Sequence, residues 1–347
     1  MATQLRPLRL GEILDRTAEL YRNHFLLFAG IAALFSGVML LVQLLNLAVL
    51  HQVGYPNLAP HLLWVTGVST VLFALAVMLL AGLAIAANNR AVAWVYLDQP
   101  ATIRGAMQSV LPRLRRYLWL MTITFFRAWS PLAVLYIAFF ALAFSILPPG
   151  FLTNPGAAQT AAPIDPTTAL NTLVGFVILA PLFLAALVYG IWMSLRYALA
   201  MPACVVEDLT AGAALKRSIQ LSKGGRGRIF VLALLIYCIR MVIALILSLP
   251  YVVFVFKHIG QNPPLGWLAV QQLAGFVTNA LIGPIYATGL TLFYYDQRVR
   301  KEGFDIEWMM QAAGLSVPAQ TPALQAAQDS DQSAPVVQVI DENAGQR

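Results

Sequence analysis

The chain has 347 residues, of which 59% are hydrophobic and only 11% charged, with a mean hydropathy of +0.73. Soluble globular domains carry about a quarter charged residues, so this composition excludes a water-soluble fold and predicts an all-α, polytopic transmembrane helix bundle. The formal charge of +7 is gathered in segments that flank apolar stretches, which points to a membrane surface and not to nucleic acid.

At the N-terminus, LRLGEILDRTAELYRNHF, from Leu8 to Phe25, predicts an amphipathic helix over about 9–24. Its apolar stripe is Leu10, Ile13, Leu14, Thr17, Ala18 and Tyr21, with Arg9, Glu12, Arg16, Glu19, Arg22 and Asn23 opposite. Two spans without a charged residue come next, at about 25–50 and 62–87. A second amphipathic helix over about 102–115 carries its stripe on Ile103, Ala106, Met107, Val110, Leu111 and Leu114; Thr102 is its expected N-cap and Pro112 interrupts it. The third and fourth spans, about 118–147 and 170–195, are joined by a Pro/Ala/Thr-rich external connection at 148–169. A third amphipathic helix over about 210–223 has its stripe on Ala211, Ala214, Leu215, Ser218, Ile219 and Ser222, with Thr210 as N-cap and Gly224, Gly225 and Gly227 ending it. The fifth and sixth spans are expected at about 229–256 and 267–295. The membrane domain thus occupies 1–310. The remainder, 311–347, rich in Ala, Gln, Ser and Pro and poor in aromatics, is expected to be a disordered tail from about Ser316.

The three stripes coincide at successive offsets of 93 and 108 residues. Each is followed by basic residues and by a pair of spans, which reads as three repeats of one unit: amphipathic helix, span out, span back. The alternative is three unrelated elbow helices with snorkelling arginines. The basic residues at the helix ends, Arg22, then Arg113, Arg115 and Arg116, then Lys223, Arg226 and Arg228, are the candidate contacts to anionic lipid head groups. Of the 22 Lys and Arg, 19 fall in 1–24, 88–117, 196–228 and 296–347, so both termini are expected in the cytoplasm. The mixed-charge N-terminus does not read as a cleaved signal peptide. Trp64, Trp119, Trp192 and Trp267 stand near span ends, as aromatic-belt residues do.

RPLRLGEILDRTAELYRNHF, PACVVEDLTAGAALKRSIQLSKG and GPIYATGLTLFYYDQRVRKEGFDIE together resemble a bacterial membrane domain. That family is found at the N-terminus of some glycerophosphoryl diester phosphodiesterases and as stand-alone proteins. The resemblance reaches to about Met310 and implies a multi-pass protein of the bacterial cytoplasmic (inner) membrane. In the fused members the hydrolytic residues lie in a separate barrel, to which nothing here corresponds, so the enzymatic name does not transfer.

Chemistry is sparse within the spans. No Asp, Glu or His falls inside the six expected ranges, which argues against an intramembrane hydrolase and against a carboxylate proton relay. Cys204 and Cys238 have no metal-ligand or redox spacing, and GGRGR at 224–228 lacks the P-loop pattern. No catalytic residue, cofactor or metal is therefore expected. Two arginines stand within spans, Arg127 and Arg240, each at a depth where an uncompensated charge costs at least about 2.5–3.5 kcal/mol. Candidate partners are Gln43 and Asn46 in the first span and Gln271, Gln272 or Asn279 in the sixth. They form either a cationic site for an anionic ligand or a structural arginine–amide network. The leading expectation is a non-catalytic membrane protein, structural, lipid-associated or part of a membrane complex at the inner leaflet. The other is a transporter, channel or insertase-like protein with a cationic groove around Arg127 and Arg240.

Overall fold

The computed structural model describes residues 6–52, 63–144, 165–258 and 263–312, and no strand occurs among them. Of the external connection expected at 148–169 only 165–169 lies within these residues, and the tail expected from about Ser316 lies outside them. In chain order the helices are α1 (Leu10–Asn23), α2 (Phe25–Gln52), α3 (Leu63–Tyr96), α4 (Ile103–Val110), α5 (Leu114–Phe144), α6 (Pro166–Tyr197), α7 (Ala200–Val206), α8 (Ala211–Ser222), α9 (Arg226–Lys257), α10 (Leu265–Glu302) and α11 (Phe304–Ala312). Three times a short amphipathic helix precedes two long ones: α1 with α2 and α3, α4 with α5 and α6, α8 with α9 and α10. The chain divides into two compact units, Met1–Glu302 and Gly303–Arg347. The first unit holds α1 to α10, and α11 belongs to the second.

Six helices, α2, α3, α5, α6, α9 and α10, include segments long and apolar enough to cross a bilayer. Their outward side chains are large and apolar: Leu26, Leu41, Val71, Ile137, Val177 and Met241 are each more than half exposed. Such a continuous greasy surface is untenable in water and suited to lipid, and the chain is a multi-pass membrane protein. Hydroxyls within the long helices are satisfied locally: Thr122, Thr124, Thr172, Thr278 and Thr288 each donate to the carbonyl four residues earlier.

Two spans outrun their sequence limits. α3 continues past 87 to Tyr96, and α10 past 295 to Glu302. Polar residues marked those limits, yet there they are buried and not solvated: the Thr291 hydroxyl donates to Asn89 at 3.1 Å, and Asp296 is enclosed by donors. The Tyr96 and Tyr295 rings meet at 5.1 Å between the same two helix ends. α10 is the hub, packing on α1, α2, α3, α8 and α9.

The short helices turn their stripes onto the protein. In α1, Ile13 and Thr17 are buried against the bundle while Ala18 is exposed, and the Tyr21 hydroxyl donates to the Leu281 carbonyl of α10 at 2.7 Å. That carbonyl lies in the turn where Pro284 interrupts the regular hydrogen-bond ladder. α4 buries Ala106 and Val110, and Ile103 approaches α2 so closely that a Cβ on Gly30 would stand 2.7 Å from it. Leu111 is exposed because Pro112 lies in a 3-10 turn, Leu111–Arg113, that ends the stripe. α8 buries Ala211, Ala214, Leu215, Ser218 and Ser222 of its stripe. The two serines donate to the Arg196 carbonyl, an orphan acceptor at the end of α6. Thr102 caps α4 through its hydroxyl, whereas Thr210 occupies the α8 N-cap position without a side-chain hydrogen bond. Gly224, at φ +81, turns the chain from α8 into α9. α7, wholly buried from Ala200 to Val205, was not legible as a separate element.

Candidate functional site

Two regions concentrate polar chemistry. The first is the end of the bundle where α3, α6 and α10 finish and α5 and α9 begin. There the Asp296 carboxylate, fully enclosed, accepts from the Leu8 amide at 2.8 Å, from Arg300 Nε at 2.9 and 3.1 Å, and from Arg228 at 3.2 Å. Both guanidiniums also donate to the Leu8 carbonyl, at 2.8 and 2.6 Å. One backbone residue ahead of α1 is thus clamped on both its polar groups. Alongside, Arg217 of α8 bridges Glu207, at 2.9 and 3.0 Å from Nε, and Glu302 of α10, at 2.7 Å. Tyr294 donates to Glu207, and Arg298 lies 3.3 Å from Glu302. Burial opposes the charge on Arg217, but its hydrogen bonds to Glu302 and Glu207 outweigh that and raise its pKa. Lys301 donates to the carbonyls of Gln220, Leu221 and Lys223, closing the C-terminal end of α8. Arg113 and Arg116 both pair with Asp208, which sits at φ 58 before α8.

The second region is a partly open cavity of about 790 Å³ between α2, α3, α6, α9 and α10, with Trp129 of α5 on its wall and exposed residues such as Leu234 and Tyr237 among its lining. Small residues of α3, Ala81 and Ala84, and Gly283 of α10 leave the space open; a Cβ on Gly283 would meet nothing within 4 Å. The wall is mostly aliphatic and aromatic, and the polar exceptions are few. Arg240 donates to Asn279 at 2.8 Å, and both line the cavity. Asn88 is 2% exposed; its Nδ2 donates to the Ala84 carbonyl at 3.0 Å, while its Oδ1 is buried with no partner among the described residues. A volume of this size with few convergent polar groups is typical of a small-molecule site.

The structure separates residues that the sequence grouped. Both Arg127 and Arg240 are exposed, but Arg240 lines the cavity and bonds Asn279, whereas Arg127, on α5 between Phe126 and Ala128, does not line it. Among the described residues the cavity therefore does not join Arg127 to Arg240 in a common groove. Gln43 and Asn46 are half-buried on α2 and lie off the cavity wall. Arg228, expected at lipid phosphates, is instead taken up by Asp296 and Leu8, and its guanidinium stands 5.2 Å from the centre of the Phe293 ring. Arg113 and Arg116 are drawn to Asp208, and Arg226 packs against Trp192. Arg22, Arg115 and Lys223 keep exposed side chains.

No family model, curated protein or solved structure matches the chain.

The functional reading therefore rests on geometry. The carboxylate missing from the six sequence ranges is Asp296, one residue beyond the limit drawn for the last span. Its spacing of four from Arg300 on one helix face was the available signal. Asn88 likewise lay one residue past the second span. Nothing in the sequence marked Leu8, whose role is played by its backbone. Among the described residues no three His, Cys, Asp or Glu side chains gather as a metal site.

Proposed function

We propose that this chain is a lipid-associated protein of the bacterial cytoplasmic membrane that holds the hydrocarbon part of an amphiphile in its central cavity and performs no chemical step on it. The cavity carries this reading: about 790 Å³, walled mostly by apolar residues of five helices, with few polar groups, of which Arg240 and Asn279 are paired with each other. Its polar wall residues include amides, hydroxyls and one guanidinium, a set suited to binding and lacking a nucleophile–base pair. The charge-rich end faces the cytoplasm in this reading, on the positive-inside distribution of Lys and Arg, with Arg22, Arg115 and Lys223 toward anionic head groups. Membership of the stand-alone branch of the membrane-domain family belongs to the same proposal and draws on the three sequence motifs.

The test is photolabelling in lipid nanodiscs with a neutral alkyl diazirine alcohol, followed by peptide mapping. The label is expected on the cavity-facing parts of α9 and α10, around Ala233–Tyr237 and Ile282–Tyr286. Gly283→Leu, which grows into open space, should abolish that labelling. Label confined to outward residues such as Leu26 and Ile137 would refute the reading.

A further inference from the structure

We infer that the occupant of the cavity is a long-chain acid whose acidic group sits at Arg240. This ligand assignment rests on the proposed function and specifies the occupant of that same site.

The charged group is Arg240, which is exposed along α9 as well as lining the cavity. It lies 14 residues into α9, about 21 Å of helix rise from the charge-rich end. At such a depth a guanidinium is costly unless solvated or paired. Among the described residues its hydrogen bond is to the neutral Asn279 side chain, which satisfies one N–H and leaves the charge uncompensated. Both residues line the cavity, so the remaining donors are available to an anion placed there. A carboxylate or phosphate monoester accepts from the guanidinium while replacing the missing counter-charge.

Asn88 does not supply a second pole: the residue lines the cavity, but its unpartnered Oδ1 is buried out of reach of a molecule held there.

Away from Arg240 the wall is apolar, with Leu80, Ala84, Phe230, Ala233 and Ile282 along it. The complementary molecule is a hydrocarbon chain bearing an acid at one end.

The experiment uses the full chain in nanodiscs and measures displacement of the neutral diazirine alcohol by hexadecanoate, hexadecanol and hexadecylamine. Hexadecanoate should compete roughly tenfold or more better than hexadecanol, and the amine worst. Arg240→Gln should remove the advantage of the acid without altering hexadecanol, and Arg240→Lys should retain part of it. Equal competition by all three chains, unchanged in Arg240→Gln, would overturn the acid assignment while leaving hydrocarbon binding intact. If the neutral label never reaches the cavity, the proposed function falls, and the acid assignment with it.

Discussion

Replacing Asp296 by Ala removes a carboxylate whose side chain has no solvent exposure and which accepts from one backbone amide, two guanidiniums and the Gln297 side-chain amide. Deleting one partner of a buried ion pair costs about 3–5 kcal/mol, because the others remain buried and unpaired. Arg228 and Arg300 are 29% and 37% exposed, so water rescues part of their charge and the low end, about 3 kcal/mol, applies. At about 2–4 °C per kcal/mol for large domains, the thermal midpoint in detergent should fall by roughly 6–12 °C. Asp296→Asn keeps an acceptor for the Leu8 amide and should lose about half as much. The signature beyond stability is local: the Leu8 amide, protected by Asp296, should exchange fast in Asp296→Ala while the interior of α2 stays protected. An unchanged midpoint, or a lowered one with Leu8 still protected, would refute the clamp.

Arg217→Ala leaves Glu207 and Glu302 facing each other across the vacated site, and should cost roughly 2–3 kcal/mol, whereas Tyr294→Phe should cost about 1 kcal/mol; unfolding in the same detergent checks the order. Arg127 is exposed among apolar neighbours, so Arg127→Leu should leave the protein as stable or stabilise it by up to about 3 kcal/mol, opposite in sign to the Asp296 variants. Glu12 is held below its ordinary pKa chiefly by the Arg9 amide, with Arg6 adding to the effect. Its contribution to anchoring the start of α1 is therefore full above the unfolded value and fades as pH falls through the lower folded value. Amide exchange at Arg9 should accelerate over that acidic window, and Glu12→Gln should flatten the dependence.

The helical plan was legible because its signals are strong and local. Long uncharged runs mark spans, and the stripe of α8 can be read residue by residue, down to the serines that turn out to bond Arg196. The limits of α3 and α10 were misplaced by the opposite reasoning: Asn88 and Asp296 look like interface residues until their partners are known. Those partners, Ala84, Leu8, Arg228 and Arg300, come from adjacent turns, another helix and a backbone far off in sequence. A period-based reading also treats every amphipathic helix as surface-seeking, and cannot distinguish a lipid face from the flank of α10. The pairing of Arg240 with Asn279 was among the combinations that polarity allowed. The exclusion of Arg127 from the cavity was not, because facing depends on the tilt of α5 against its neighbours.

The central claim is that the cavity holds a long-chain acid. The direct measurement is native mass spectrometry of the protein taken from its own membrane into nanodiscs, with the bound small molecule then released and fragmented. One long-chain acidic adduct per chain is predicted, retained in Arg127→Leu and lost in Gly283→Leu and Arg240→Gln. A bare protein mass, or an adduct equally retained in Gly283→Leu, would contradict it.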